Sequence, residues 1–143
     1  MINKTKILIV DDEPVVRLAY SRILASDHSL VEAVSNGVDA LERLAEQAFD
    51  VVLLDLRMPG MDGMAVLQAI KQNWPDVEVI IITGYAGIDT VKQSVALGAF
   101  DYLAKPVGPD DVMNVTNSAL RHKGWALRRL AGPQARPECR CQA

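Results

Sequence analysis

Three carboxylates, a hydroxyl and an ammonium stand at the ends of short apolar runs in this chain. Asp11-Asp12 follows Lys6-Ile-Leu-Ile-Val10, Asp55 follows Val51-Val-Leu-Leu54, Thr83 follows Val79-Ile-Ile-Ile82, and Lys105-Pro106 comes just after Phe100-Asp-Tyr-Leu103. Runs rich in Val and Ile, with helical patterns between them, read as buried parallel strands. Open α/β sheets place their sites at the carboxyl ends of such strands, so these side chains converge on one pocket. Two carboxylates about 4 Å apart repel by roughly 4 kcal/mol at an effective dielectric near 20, and a cluster of three needs a cation. An all-oxygen donor set favours a hard ion such as Mg²⁺, which takes few protein carboxylates and keeps several waters. Capping of the next helix would account for one of Asp11 and Asp12, but not for Asp55 at a second strand end.

The other two groups suit phosphoryl chemistry. Lys105 is a point charge on a long stem; beside Asp55 it can pair with the carboxylate at rest and with a phosphoryl oxygen afterwards. Pro106 holds Lys105 to an extended geometry, and the sequence leaves the isomer of that bond open. Thr83 offers a hydroxyl to a phosphoryl oxygen, and Gly84 adds a backbone N–H without steric obstruction. A strand-end Thr-Gly alone is more often a turn than a site; it gains meaning from the acids and the lysine at the other strand ends.

Positioning these residues requires strands and helices in alternation, and the pattern reads strand, helix, five times over. Glu13 to Ser26 carries Val15, Val16, Leu18, Ala19, Ile23 and Leu24 at helical spacing, with Pro14 acceptable in a first turn. Leu30 to Ser35 is a short strand, and Asn36-Gly37 opens a helix bearing Val38, Ala40, Leu41, Leu44 and Ala45. Arg57 to Gly63 is a Pro/Gly loop, Met64 to Asn73 a helix, and Gly84 to Gly87 a junction before a helix over Ile88–Leu97. Gly98 is placed to end that helix. The last helix starts with Asp110 and Asp111 in its first turn and runs to about His122; Gly124 breaks its pattern, although Trp125 to Leu130 could resume it. The expected fold is α/β: a doubly wound, five-stranded parallel sheet of flavodoxin-like order 2-1-3-4-5 with five helices, Asp11-Asp12 sitting at its switch point.

The 143 residues make one domain, and half of them are hydrophobic. No run approaches the roughly 20 apolar residues of a membrane span, and no signal peptide is visible, so the expectation is a cytoplasmic protein without membrane contact. Six Lys/Arg and one acid follow residue 120, which leaves nine bases against seventeen acids before it, a balance of −8. So acidic a body argues against direct nucleic-acid binding. Residues 123–143 read as a basic, partly disordered linker or tail, and Cys139 and Cys141, one residue apart with no nearby His, as incidental thiols. Neither His28 nor His122 has an acid partner in any motif, and both are expected on the surface.

The set Asp11-Asp12, Asp55, Met58-Pro59-Gly60-Met61-Asp62-Gly63, Thr83-Gly84, Tyr102 and Lys105-Pro106 closely resembles the receiver domain of bacterial two-component response regulators, over about residues 4–122. The stretches Thr83–Thr90 and Gly98–Pro106 are most similar to receivers of the nitrogen-regulation class. The resemblance implies that Asp55 is the phosphoacceptor, receiving a phosphoryl group from a sensor histidine kinase. It implies that Asp11, Asp12, Asp55 and the Arg57 carbonyl bind Mg²⁺, and that Lys105, Thr83 and the amides of Arg57 and Gly84 hold the phosphoryl oxygens. It further implies that Thr83 and Tyr102 form a switch, that the output face comprises Ile88–Leu97, Phe100–Leu103 and the last helix, and that phosphorylation is linked to homodimerisation. Arg57 and Tyr85 would flank the path of the hydrolytic water.

Other classes fit less well. Haloacid-dehalogenase-type phosphatases need an acid two residues after the nucleophile, where this chain has Arg57, so an enzyme turning over external substrates is not expected; the protein would catalyse only its own phosphorylation and dephosphorylation. A receiver that has lost phosphotransfer and acts as a phosphorylation-independent binding module is the alternative, against which the full set of acids, Thr and Lys stands. The nitrogen-class resemblance suggests transcription regulation, but no ATPase or helix-turn-helix pattern follows residue 122.

Overall fold

In the computed structural model, residues 4–58, 60–84 and 87–130 are described. Strands β1 (Thr5–Val10), β2 (Ser29–Val34), β3 (Val51–Leu54), β4 (Glu78–Thr83) and β5 (Asp101–Ala104) alternate with helices α1 (Pro14–Leu24), α2 (Gly37–Glu46), α3 (Gly63–Asn73), α4 (Ile88–Ala96) and α5 (Pro109–Leu130). The strands are parallel in the order β2-β1-β3-β4-β5, as the sequence pattern predicts.

Strand residues alternate between the two faces, which is why helices cover both. Leu8, Val10, Val52, Leu54, Val79 and Ile81 point one way, onto Ala40 and Leu44 of α2 and Val66, Leu67 and Ile70 of α3. Ile7, Ile9, Val51, Leu53, Ile80 and Ile82 point the other way, onto Tyr20 and Leu24 of α1 and Val112, Val115 and Ala119 of α5. Each such aliphatic side chain contributes about 1.5–3 kcal/mol on burial. The central strands therefore form a rigid base for the loops at their ends.

Helix ends follow local chemistry. Asn36 caps α2, its side chain accepting the Asp39 N–H at 2.8 Å. Gly98, at φ +99°, turns the chain after α4 as expected of a glycine in that place. Gly63 meets a tighter demand: a Cβ there would lie 2.4 Å from Leu56 Cα. The absence of a side chain lets α3 begin directly against the end of β3, closing the loop that carries Arg57.

Two features differ from expectation. The backbone of α5 stays helical through Gly124 to Leu130, so the pattern does resume; one glycine costs a helix only about 1 kcal/mol. His122 is half exposed but has an acid partner after all, its Nδ1 lying 2.6 Å from Glu78 Oε2. Its ring also stands 5.4 Å from that of Phe100. Cys139 and Cys141 lie outside the described residues.

Candidate phosphoryl-handling site

Register brings the site together. Val10 pairs with Leu54, and Thr83 with Ala104, so the residues that follow emerge side by side at one end of the sheet. The pairing continues one step further: the Asp55 N–H donates to the Val10 carbonyl at 3.0 Å, and the Lys105 N–H to the Thr83 carbonyl at 2.9 Å.

Asp11 and Asp55 are buried, at 2% and 6% exposure, and Lys105 bridges them. Its Nζ donates to Asp11 Oδ2 at 2.8 Å and to Asp55 Oδ2 at 3.1 Å, with Glu13 Oε1 a more distant third partner at 3.4 Å. Burial weakens the lysine's hold on its proton, but the hydrogen bonds and charges of Asp11 and Asp55 outweigh that, and its pKa is raised above the ordinary lysine range. Burial raises the Asp11 pKa, and the Lys105 hydrogen bond and the Glu13 amide offset only part of the rise. The second oxygen of each aspartate receives a backbone N–H two residues on: Glu13 N–H to Asp11 Oδ1 at 2.9 Å, and Arg57 N–H to Asp55 Oδ1 at 3.0 Å. Asp11 thus ties the residue before α1 to the cluster, although the N-cap of that helix is Glu13 and receives no side-chain cap bond.

Asp12 completes the group. Carboxylate oxygens of Asp11, Asp12 and Asp55 all lie within 4.8 Å of one another. Neighbouring and opposite ligands of an octahedral ion with bonds near 2.1 Å lie about 3 and 4.2 Å apart, so a small hard cation fits this cluster with slight closure. A groove of about 520 Å³, lined in part by Asp12, Asn36, Val38 and Met61, borders the cluster.

Thr83 is fully buried at the end of β4. Gly84 follows it, with no atom of the described residues within 4 Å of a would-be Cβ. The Lys105-Pro106 bond is cis, settling the isomer that the sequence left open. Tyr102 on β5 is partly buried against the core cluster that includes Met64, and its hydroxyl lies 3.0 Å from Thr90 Oγ1. Tyr85 and Pro59 lie outside the described residues, so the placing of Tyr85 on a water path is not tested.

Sequence reasoning passed over Arg17, Glu13, Tyr20 and Thr90. Arg17 Nη1 donates to the Asp11 carbonyl at 2.8 Å, bracing the turn that aims that carboxylate. Tyr20, on the inward face of α1, is buried and its pKa is raised, first by burial. A helical pattern marks Arg17 and Tyr20 only as one polar and one apolar position; the spacing of six residues between Asp11 and Arg17 becomes a contact through the β1–α1 turn.

Three comparisons bear on this arrangement. Residues 7–117 match the model of the response regulator receiver domain. The DNA-binding transcriptional regulator NtrC of Escherichia coli is 40% identical over 114 residues, which are 80% of this chain and 24% of that protein. The chain therefore spans about a quarter of the length of that relative. Sporulation initiation phosphotransferase F of Bacillus subtilis is 34% identical over 120 residues, covering 84% of this chain and 96% of that one. Among solved structures, a CheY-like response regulator receiver domain protein from Methanospirillum hungatei superposes with a TM-score of 0.82 at 28% identity, covering 85% and 98% of the two chains. No helix among the described residues is long and apolar enough to cross a membrane.

Proposed function

We propose that Asp55 is the phosphoacceptor of this protein, from the premise that the chain belongs to the response regulator receiver domain family of two-component systems. The observation that carries the reading is the Asp11–Lys105–Asp55 bridge, which sets a buried carboxylate beside a fixed ammonium at the sheet's carboxyl end. A carboxylate oxygen of Asp55 attacks phosphorus in a phosphohistidine of a partner kinase. The P–N bond breaks and its electron pair stays on the imidazole nitrogen, leaving an acyl phosphate on Asp55. Asp11, Asp12, Asp55 and the Arg57 carbonyl would hold Mg²⁺, which when bound neutralises charge on the phosphoryl oxygens. Lys105 then moves its hydrogen bonds from Asp55 to a phosphoryl oxygen, while Thr83 and the amides of Arg57 and Gly84 receive the others.

The new group brings up to about two negative charges and strong acceptors. Thr83 is drawn toward them, and Tyr102 responds by filling the space that Thr83 leaves. The output surface is formed by α4, β5 and α5. Its apolar character supports this, since Ile88 and Val95, two turns apart on α4, are 74% and 62% exposed. A second copy of the chain docks there on phosphorylation, and residues 123–143, the first eight of which continue α5, form a linker or tail. Sedimentation with and without beryllofluoride tests that step, and an unchanged mass would assign the face to another partner.

The phosphoacceptor reading is tested by intact mass after incubation with acetyl phosphate. The expected result is a gain of one phosphoryl group that requires Mg²⁺ and is lost in Asp55→Asn. No gain, together with no binding of beryllofluoride, would leave a phosphorylation-independent binding module.

A further inference from the structure

Helix α4 is the least embedded of the five: Ser94 is its one buried residue. Its N-cap is Gly87, which has no side chain to receive the free amides of the first turn. Thr90 supplies what the glycine lacks. Its hydroxyl accepts the Gly87 N–H at 3.0 Å and donates to the Gly87 carbonyl at 2.9 Å. That carbonyl also receives the Val91 N–H at 3.0 Å, the bond that starts the helix. A third partner of the hydroxyl comes from outside the helix, the Tyr102 hydroxyl at 3.0 Å. A threonine hydroxyl offers one proton and two lone pairs, so these three partners saturate it.

We propose that Thr90 is a positioning residue of the switch, its hydroxyl tying the place of the Tyr102 ring to the first turn of α4. The proposal rests on the reading of Tyr102 as the aromatic that responds to phosphorylation at Asp55. When Tyr102 leaves this pose, Thr90 loses one of three partners and the start of α4 loses part of what orders it. Because α4 has little else buried, its first turn follows the ring. The reverse holds equally: a partner that reshapes the start of α4 changes the preferred place of Tyr102 and, through it, the ease of phosphorylation. The link is built from a residue pair twelve apart that spans the whole α4–β5 connection.

A double-mutant cycle on the free protein tests this, reading amide hydrogen exchange at Gly87, Val91 and Lys92 by NMR. The corners are wild type, Thr90→Val, Tyr102→Phe and the double variant, each repeated with Gly87→Ser. Gly87 has φ −147° and, among the described residues, only Thr90 Oγ1 within 4 Å of a would-be Cβ, so serine fits and caps α4 without Thr90. Tyr102→Phe is expected to speed Val91 exchange roughly two- to tenfold when Thr90 is present, the equivalent of one hydrogen bond. Once Thr90 is valine, the same change should have almost no effect, with or without Gly87→Ser. Thr90→Ser keeps the coupling. Exchange that responds to Tyr102→Phe equally in both backgrounds, or in neither, overturns the proposal and leaves Thr90 a cap alone. Titration with Mg²⁺ and beryllofluoride keeps the two readings apart. A wild type that fails to bind sinks the phosphoacceptor reading, while the exchange cycle still decides the link.

Discussion

Replacing Lys105 by methionine removes one positive charge from among the carboxylates and leaves a stem of similar length in place. The ammonium stands 2.8 Å from Asp11 Oδ2 and 3.1 Å from Asp55 Oδ2. At an effective dielectric of about 20, each contact carries roughly 5–6 kcal/mol of Coulomb attraction, most of it offset by the cost of burying the three groups. Stripping one partner from such a buried pair costs about 3–5 kcal/mol, and that is the expected loss of stability at neutral pH without metal. The pH dependence has a definite sign. Burial already raises the Asp11 pKa and Lys105 holds it down, so the substitution raises it further. A group whose folded pKa lies above its unfolded value adds stability below the unfolded value and loses it as pH rises through the folded pKa. The deficit of Lys105→Met should therefore be greatest at neutral pH and shrink as pH falls toward the ordinary aspartate value near 4. Mg²⁺ should shrink it at neutral pH as well, by supplying the missing charge. Urea unfolding followed by circular dichroism, at neutral and mildly acidic pH and with and without Mg²⁺, measures all three effects. A loss below about 1 kcal/mol, in the range of an exposed ion pair, would refute the reasoning, as would a deficit indifferent to both pH and metal.

Two other substitutions probe the scaffold. Thr116 Oγ1 is buried with no hydrogen-bond partner among the described residues, so Thr116→Val should stabilise the protein by about 1 kcal/mol and raise Tm by roughly 2–5 °C; an unchanged or lower Tm in a calorimetric scan would show that the hydroxyl is satisfied. Gly63→Ala puts a Cβ 2.4 Å from Leu56 Cα and 2.7 Å from its carbonyl oxygen, and should cost about 1–3 kcal/mol. Because the displaced loop carries the Arg57 amide, phosphorylation by acetyl phosphate should slow too, and a variant matching wild type in both Tm and rate would contradict that coupling.

The sheet and the gathering of Asp11, Asp55, Thr83 and Lys105 were legible in the sequence because both rest on local signals. Each residue directly follows or nearly follows an apolar run, and parallel strands of similar length bring their ends together without further information. What escaped were contacts made by helices across strands. The partner of His122 is Glu78, forty-four residues away, and it is found only once α5 is known to cross the start of β4. Arg17 reaches the Asp11 carbonyl because the β1–α1 turn folds the helix back over the strand end. Tyr102 was legible as an aromatic in a strand, but its tie to Thr90 depends on how α4 lies against β5. Gly124 misled for a different reason: a glycine lowers helix propensity by an amount that neighbouring turns can absorb.

Helix α5 is fastened at the end of the sheet opposite the phosphoryl site. His122 is held by Glu78 at the start of β4, and Lys123 Nζ lies 3.7 Å from Asp50 Oδ1 just before β3. Glu78 and Asp50 are themselves joined through the backbone, the Glu78 N–H donating to the Asp50 carbonyl at 3.1 Å. The helix thus has an ion-paired foot, while its head, with Pro109 only four residues beyond Lys105, is held by Val112 and Val115 in the core. The expected response of α5 to a phosphoryl group on Asp55 is therefore a swing about that foot, with more travel near Asp111 than near His122. Spin labels at Asp111 and Lys92, compared with a pair at Arg121 and Asp76, would read that gradient on addition of Mg²⁺ and beryllofluoride; equal displacement at both ends would mean that the helix slides as a whole and that the foot is not a pivot.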